Sequence, residues 1–238
     1  KILHDEQGVP WNEMLILARS FNKLIQPLHE AFQQAGIPYR AMVREAVWQR
    51  QEVRDVVSLA TCLADADHGP ALLAVLRGPV FRLTDGEILL VSSWNEGRSL
   101  GQNLYQVAQG NNPNFPAAAE AWQHLSEDRK ACVCSAAIHL HNWRQLVDRM
   151  PHHELIQNAL EASGAYEAMA AWLTPLGTGA ESVRRSAAGI DFVINRMREI
   201  ESARPITLVN LVELLGLYAS GGIKEDIDPD LSTDEDMV

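Results

Sequence analysis

The sequence is poor in several kinds of residue, and each shortage excludes a class of protein. It holds three cysteines, Cys62, Cys132 and Cys134, in 238 residues. A set this sparse and odd argues against a disulfide framework and is typical of a reducing compartment, so we expect a cytoplasmic protein. No apolar run approaches the roughly 18 to 20 residues that a membrane-spanning helix needs. The first residues also lack the charged and then apolar layout of a secretion signal.

Lysine is scarce as well, which bears on nucleic-acid binding. Only four lysines occur, so most of the positive charge is arginine. Residues 1–100 and 101–220 carry net charges of −2 and −3, whereas residues 221–238 alone carry −6. The body of the chain is therefore close to neutral, and its acidity does not exclude a nucleic-acid contact. The lack of clustered lysines and arginines does argue against a dedicated basic DNA clamp.

The common signatures of catalysis and metal binding are missing too. The sequence has no glycine-rich phosphate loop ending in Lys and Ser or Thr, and no G-x-S-x-G element. Three pairs of metal-binding residue types lie only one or two positions apart. On a helix such neighbours point in different directions, and structural zinc sites use wider spacings. We therefore expect no metal site and no catalytic residue; the pairs are Cys132 with Cys134, His139 with His141, and His152 with His153.

Hydrophobic periodicity predicts a mainly α protein with a small parallel α/β (βαβ) portion at its N-terminal end. Residues 14–18 and 39–43 are predicted buried strands, and they flank a predicted helix over residues 22–35. Parallel sheets need more than two strands, so we expect unpaired strand edges and strand-mediated self-association. Further helices are predicted over residues 51–64, 69–76, 84–94, 116–126, 127–149, 153–162, 166–173, 181–203 and 207–219.

Arg19 and Ser20 follow the first predicted strand. Ligand sites in open α/β folds lie at the carboxyl ends of parallel strands, so a nucleic-acid phosphate would suit an arginine there. The alternative is structural, because Ser20 or Asn22 could cap the next helix. Both interpretations stay open at this point.

A second group of candidate DNA contacts follows the second predicted strand. It consists of Arg44, Arg50 and Arg54, of which the last two are four apart and share a helix face. Arginine suits phosphate geometrically, but a solvated face paired with nearby carboxylates is the simpler alternative. Trp48 precedes the same helix and could stack on a base, although a tryptophan at such a place is more often a core anchor.

Four motifs stand in an order that resembles one enzyme family. They are M-L-I-L-A-R-S (residues 14–20), A-G-I-P-Y-R (35–40), W-Q-R-Q-E-V-R-D (48–55) and L-R-G-P-V-F-R-L-T-D-G-E-I (76–88). Together they resemble the second motor half of UvrD/Rep-type superfamily I DNA helicases. In that family a second RecA-like domain (2A) leads into an inserted subdomain (2B). The segment from Gly78 to Asp85 is closer to the L-R-S-P-L-F-x-L-S-D pattern of the AddA/RecB-like branch, with Gly78 in place of serine.

The resemblance implies a domain layout and a set of partners. It implies part of domain 2A over residues 1–48, a helical 2B-like subdomain over 49–220 and an acidic linker back towards 2A over 221–238. The chain would then be a fragment of a 3′-5′ ATP-dependent DNA helicase, or helicase-exonuclease, acting in DNA repair and recombination. Its implied partners are DNA, the remainder of the helicase chain and a nuclease partner subunit.

The resemblance also implies which functions the chain lacks. ATP and Mg would bind elsewhere in the parent protein, so the fragment would hold no cofactor and would be inactive alone. The candidate DNA contacts are then Arg19, Ser20, Arg44, Trp48, Arg50, Arg54 and Arg82. The alternative is a non-enzymatic helical protein-interaction module.

Overall fold

A computed structural model describes residues 2–14, 16, 25–37, 47–166, 168 and 179–220. The chain divides into two compact units, one of Lys1–Glu45 with Ser232–Val238 and the other of Ala46–Leu231. None of the described helices is both long enough and apolar enough to cross a membrane.

The described part of the first unit is helical. It contains α1 (Ile2–Gln7), a 3-10 turn (Trp11–Glu13) and α2 (Ile25–Ala35). Gly36 follows the last residue of α2, and its φ of 63° is in the left-handed region that glycine adopts readily. The Ile37 N–H then donates to the Phe32 carbonyl at 2.9 Å, which satisfies one of the last carbonyls of the helix. The predicted helix over residues 22–35 is thereby confirmed for its described part.

The two predicted strands of the first unit are largely outside the described residues. Of their positions only Met14 and Ile16 are described, and neither belongs to a helix or a strand. No strand occurs among the residues that the structure describes. The βαβ unit therefore stays a prediction, whereas the mainly helical character of the chain is confirmed.

The described part of the second unit is helical, and short loops join its helices as far as the end of the helix over His152–Ala162. A 3-10 turn (Val47–Gln49) leads into them, and the loops carry polar and glycine residues as expected for exposed connections. The described helices are α3 (Gln51–Ala64), α4 (Gly69–Arg77), α5 (Asp85–Ser92), α6 (Leu100–Ala108), α7 (Pro116–His124), α8 (Glu127–Leu146), α9 (His152–Ala162), α10 (Gly179–Ala203) and α11 (Leu208–Ala219).

The core of this unit surrounds α3. That helix packs against α4, α8, α9, α10 and α11, and most of its apolar residues are fully buried. Burial raises the pKa of the Cys62 thiol to about 12, although the nearby Arg144 guanidinium opposes this rise. Arg144 donates from Nε and Nη2 to the Cys62 carbonyl at 3.3 and 3.0 Å. It thus places a cation at the C-terminus of α3, where the helix dipole and the unpaired carbonyls favour one.

Candidate nucleic-acid interface

Of the seven candidate DNA-contacting residues, four are among the described residues. Arg19, Ser20 and Arg44 lie outside them. The four that are described occupy two separate stretches of the chain, Trp48, Arg50 and Arg54 around the start of α3 and Arg82 between α4 and α5.

Trp48 is a packing residue in this structure. It is 7% exposed, its ring stacks on Tyr218 with centroids 5.1 Å apart, and its edge meets Phe192 at 5.4 Å. Arg196 holds Tyr218 in turn, donating from Nη2 to the phenol oxygen at 2.9 Å. This packing corresponds to the second interpretation of Trp48, in which the tryptophan anchors the core. Stacking on a base stays a prediction, and it would require the Trp48–Tyr218 stack to open.

Arg50 and Arg54 differ in exposure. Arg50 is the N-cap residue of α3 and is half-buried, whereas Arg54 one turn later is exposed. Asp55, on the same helix, accepts a hydrogen bond from Gln51 Nε2 at 2.8 Å. Burial raises the pKa of Asp55, the Gln51 bond opposes that rise, and Glu52 adds to it. Because Arg54 is exposed, its guanidinium is accessible from solvent.

Arg82 occupies an unusual place in the turn between α4 and α5. Its φ is 55°, the left-handed region, which costs a residue other than glycine roughly 1–2 kcal/mol. Two backbone hydrogen bonds hold the turn, from Arg82 N–H to the Gly78 carbonyl at 2.9 Å and from Leu83 N–H to the Leu76 carbonyl at 2.8 Å. Val80 and Leu83 are buried, so the turn is anchored in the core while Arg82 itself is exposed.

A surface depression of about 450 Å³ opens beside this turn. Its lining includes two arginines and one carboxylate, and the Arg77 Nε lies 3.4 Å from Asp85 Oδ1. The two side chains are 66% and 72% exposed, so water screens the pair and it holds Arg77 only weakly. The lining residues are Arg77, Arg82, Leu83, Thr84 and Asp85. Such a surface can exchange the carboxylate for another oxyanion, because arginine donors match phosphate geometry.

Sequence reasoning did not select Arg77. It lies in the same motif as Arg82, five positions earlier, and at the last residue of α4. Two arginines that flank a short turn between helices are the signal that would have found it.

Glu87 and Arg129 are connected to the depression through Thr84, which lines it. Arg129 donates from Nε and Nη2 to both carboxylate oxygens of Glu87, which is 4% exposed. Glu87 also completes the capping box of α5, accepting from the Thr84 N–H at 2.8 Å. Burial alone would raise the pKa of Glu87, but the bonds from Arg129 and Thr84 outweigh burial and the pKa lies below its usual value of 4.5.

A second, half-buried carboxylate joins α10 to α9. Glu201 accepts from the backbone N–H groups of His152 and His153 at 2.8 and 3.1 Å and from His153 Nδ1 at 2.6 Å. Burial would raise its pKa, yet these hydrogen bonds bring the pKa below 4.5. The first free amides of α9 thus receive a carboxylate, as a helix N-terminus favours.

These two carboxylates predict a loss of stability in acid. Because both folded-state pKa values lie below 4.5, their stabilisation is fully present above pH 4.5 and is lost as the pH falls through the folded values. Urea unfolding measured from pH 7 down to pH 3 should show this decline. The double variant Glu87→Gln/Glu201→Gln should show a smaller decline, while Glu120→Gln on the exposed side of α7 should behave like the parent chain. Equal pH slopes in all three proteins would contradict the assignment.

The histidine pairs make ring contacts and hydrogen bonds within the fold, whereas Cys132 is exposed and Cys134 is half-buried. His139 lies against Trp143 and His141 against Tyr105, with centroids 5.3 and 5.4 Å apart. The ring of His152 makes a 3.1 Å hydrogen bond through Nε2 to the Ile206 carbonyl. Among the described residues, no three His, Cys, Asp or Glu side chains are grouped so that they could hold a metal ion.

Comparison with known proteins gives consistent matches along the chain. A family model described as "UvrD-like helicase C-terminal domain" matches residues 2–171. The A subunit of the ATP-dependent helicase/nuclease from Exiguobacterium sibiricum is 22% identical over 228 residues, which are 96% of this chain and 17% of that protein. The protein of the same name from Streptococcus suis is 23% identical over 242 residues, covering 93% and 19%. The ATP-dependent DNA helicase UvrD1 of Mycobacterium tuberculosis is 27% identical over 120 residues, covering 50% and 15%. The chain therefore spans less than a fifth of the length of these relatives.

Proposed function

The chain belongs to the UvrD-like helicase C-terminal domain family, and we propose from this membership that it is a segment of an ATP-dependent DNA helicase motor. The similarity to the A subunits of two helicase/nucleases over more than nine-tenths of the chain supports the AddA-like type within the family. The parent would then act in DNA repair and recombination, with ATP and Mg bound by parts outside this chain. Its other partners would be the rest of the helicase chain and a nuclease subunit.

Within that motor we propose that the chain contacts the DNA backbone through Arg77 and Arg82. The observation that carries this proposal is the pairing of two exposed arginines around one depression on a turn that the core holds in place. None of the residues that line the depression is aromatic, so the surface suits phosphates and offers no platform for bases. Such a contact fixes the position of DNA without reading its sequence.

The other arginines have a weaker claim as DNA contacts. Arg54 is exposed on α3 and available to a phosphate, whereas Arg50 is half-buried at the cap of the same helix. For Arg19, Ser20 and Arg44 the proposal depends on the family resemblance alone. We propose Arg54 as an additional backbone contact and place Trp48 with the core.

The double variant Arg77→Ala/Arg82→Ala tests the backbone contact. Each lost phosphate contact should reduce the slope of log K against log salt by about 0.9, so the slope should fall by about 2 and the affinity by at least tenfold at low salt. Fluorescence anisotropy with a labelled duplex that carries a single-stranded tail, at several salt concentrations, measures both quantities.

A matched control removes the same charge elsewhere. Arg98→Ala/Arg149→Ala takes away two exposed arginines that do not line the depression. Equal losses in the two double variants would mean that only net charge matters, and the proposed site would be wrong. Separately, DNA-stimulated ATP hydrolysis by the purified chain would contradict the proposal that the ATP site lies outside it.

A further inference from the structure

We propose that Arg129 is a positioning residue for the backbone contact, acting through Glu87 on the turn that carries Arg82. The inference depends on the proposed function of that turn. It concerns a residue that lies outside the lining of the depression and belongs to a different helix, α8.

The first step is the contact between α8 and α5. Arg129 is in the first turn of α8, and Glu87 is in the first turn of α5, 42 positions earlier. Two guanidinium nitrogens donate to two carboxylate oxygens, a fork that fixes the orientation of both groups. Glu87 is buried, so no water molecule can replace Arg129 without cost.

The second step leads from Glu87 to the turn. The Thr84 N–H donates to Glu87 Oε2 at 2.8 Å, and the Glu87 N–H donates to Thr84 Oγ1 at 3.3 Å. Thr84 lines the depression and lies two residues after Arg82. Arg129 therefore holds the C-terminal end of the turn, while the Leu83–Leu76 hydrogen bond holds it against α4.

The third step is electrostatic. The carboxylate of Glu87 accepts from the backbone of Thr84, which lines the surface that would receive phosphate, and Arg129 is the cation that neutralises it. Without Arg129, a buried negative charge would remain close to the phosphate site, where screening by salt is weak. That charge would repel phosphate. The unpaired Glu87 carboxylate would also turn towards water and away from the Thr84 N–H, so the left-handed conformation of Arg82 would lose its support.

The test compares Arg129→Gln with Lys130→Gln in the 238-residue chain. Both variants remove one positive charge from the same helix turn, but Lys130 pairs with Glu127 at 2.7 Å and lies over Trp122, away from Glu87. We expect Arg129→Gln to weaken duplex affinity about tenfold and to lower the salt slope by about 1, as losing the Arg82 contact would. Lys130→Gln should change affinity less than about twofold. Equal effects of the two variants would overturn the proposal.

A double-mutant cycle gives the second readout. If Arg129 acts mainly through Arg82, the loss of affinity on Arg129→Gln should be several-fold smaller in an Arg82→Ala background than in the parent chain, and only the repulsion by the unpaired Glu87 should remain. Full additivity of the two losses would overturn the proposal, as would an Arg129→Gln chain that is less stable to urea but keeps the parent affinity and salt slope. If Arg129→Gln fails to fold, Arg129→Lys replaces it, and its affinity should lie between the parent value and that of Arg82→Ala.

The outcomes separate this inference from the function on which it depends. If Arg77→Ala/Arg82→Ala leaves DNA binding unchanged, the proposed backbone contact is wrong, and the proposed positioning role of Arg129 is wrong as well. If that double variant loses binding while Arg129→Gln behaves like Lys130→Gln, the contact stands and only the positioning role is wrong.

Discussion

Replacing Trp94 with alanine is expected to lower the free energy of unfolding by about 3–5 kcal/mol. Trp94 is 2% exposed, and its ring meets Trp122 edge to face with centroids 5.0 Å apart. Its Nε1 donates to the Asn111 carbonyl at 3.1 Å, and its own carbonyl accepts from the Asn114 and Phe115 N–H groups. The residue therefore ties the end of α5 to the loop before α7, and alanine would leave a cavity at that junction.

Urea unfolding followed by circular dichroism measures this loss. Trp94→Phe keeps a six-membered ring but removes the five-membered ring with its N–H donor, so it should cost about 1–3 kcal/mol, less than alanine. Tyr105→Ala provides the exposed control, because this aromatic side chain is 48% exposed and should cost less than Trp94→Ala. A Trp94→Ala chain that is as stable as Tyr105→Ala would show that the junction does not support the fold.

The second large effect is expected at Gly101. A Cβ atom at this position would lie 2.0 Å from the Ala66 carbonyl oxygen and 2.8 Å from Asp67 Oδ1. A backbone carbonyl cannot turn away as a flexible side chain can, and Asp67 is also tied to α6 by the Ser99 hydroxyl. Gly101→Ala should therefore push the start of α6 away from the turn between α3 and α4, at a cost of about 3 kcal/mol.

Gly216 offers a matched control for this substitution. It lies within α11, and a Cβ there would meet no atom within 4 Å. Gly216→Ala should leave stability unchanged or raise it by up to about 1 kcal/mol, because alanine favours a helix more than glycine does. The midpoints of thermal unfolding of Gly101→Ala and Gly216→Ala measure this difference, and similar midpoints would contradict the close approach at Gly101.

Much of the helical layout was predictable from local chemistry. Helix α3 begins and ends at the predicted residues, and α5 and α11 begin after Thr84 and Thr207, whose hydroxyls accept from N–H groups three residues later. Helix α6 was missed, although Ser99 and Gln102 form the same kind of capping box as Thr84 and Glu87. Helix α8 ends at Leu146, whereas the predicted helix ran to residue 149. The prediction was too long because no glycine or proline before Pro151 marks the end of the helix in the sequence.

The candidate site was predictable only in part. Arg82 could be selected from its motif, but Arg77 becomes its neighbour only when the turn folds back against α4. Gly78 stands where the related pattern has serine, and the structure gives a reason. A Cβ there would lie 2.5 Å from the Ala74 carbonyl oxygen, so this tight exit from α4 suits glycine.

The sequence by itself determined most of the helices, the caps at Thr84 and Thr207, the family and the motif that carries Arg82, because each depends on residues within a few positions of one another or on their order. Only the tertiary structure decided what the side chains contact. It packed Trp48 against Tyr218, set Arg144 against the Cys62 carbonyl 82 positions away and set Arg129 against Glu87. Such pairs form because burial of a shared core brings distant segments together, and no local pattern records which polar group will meet which.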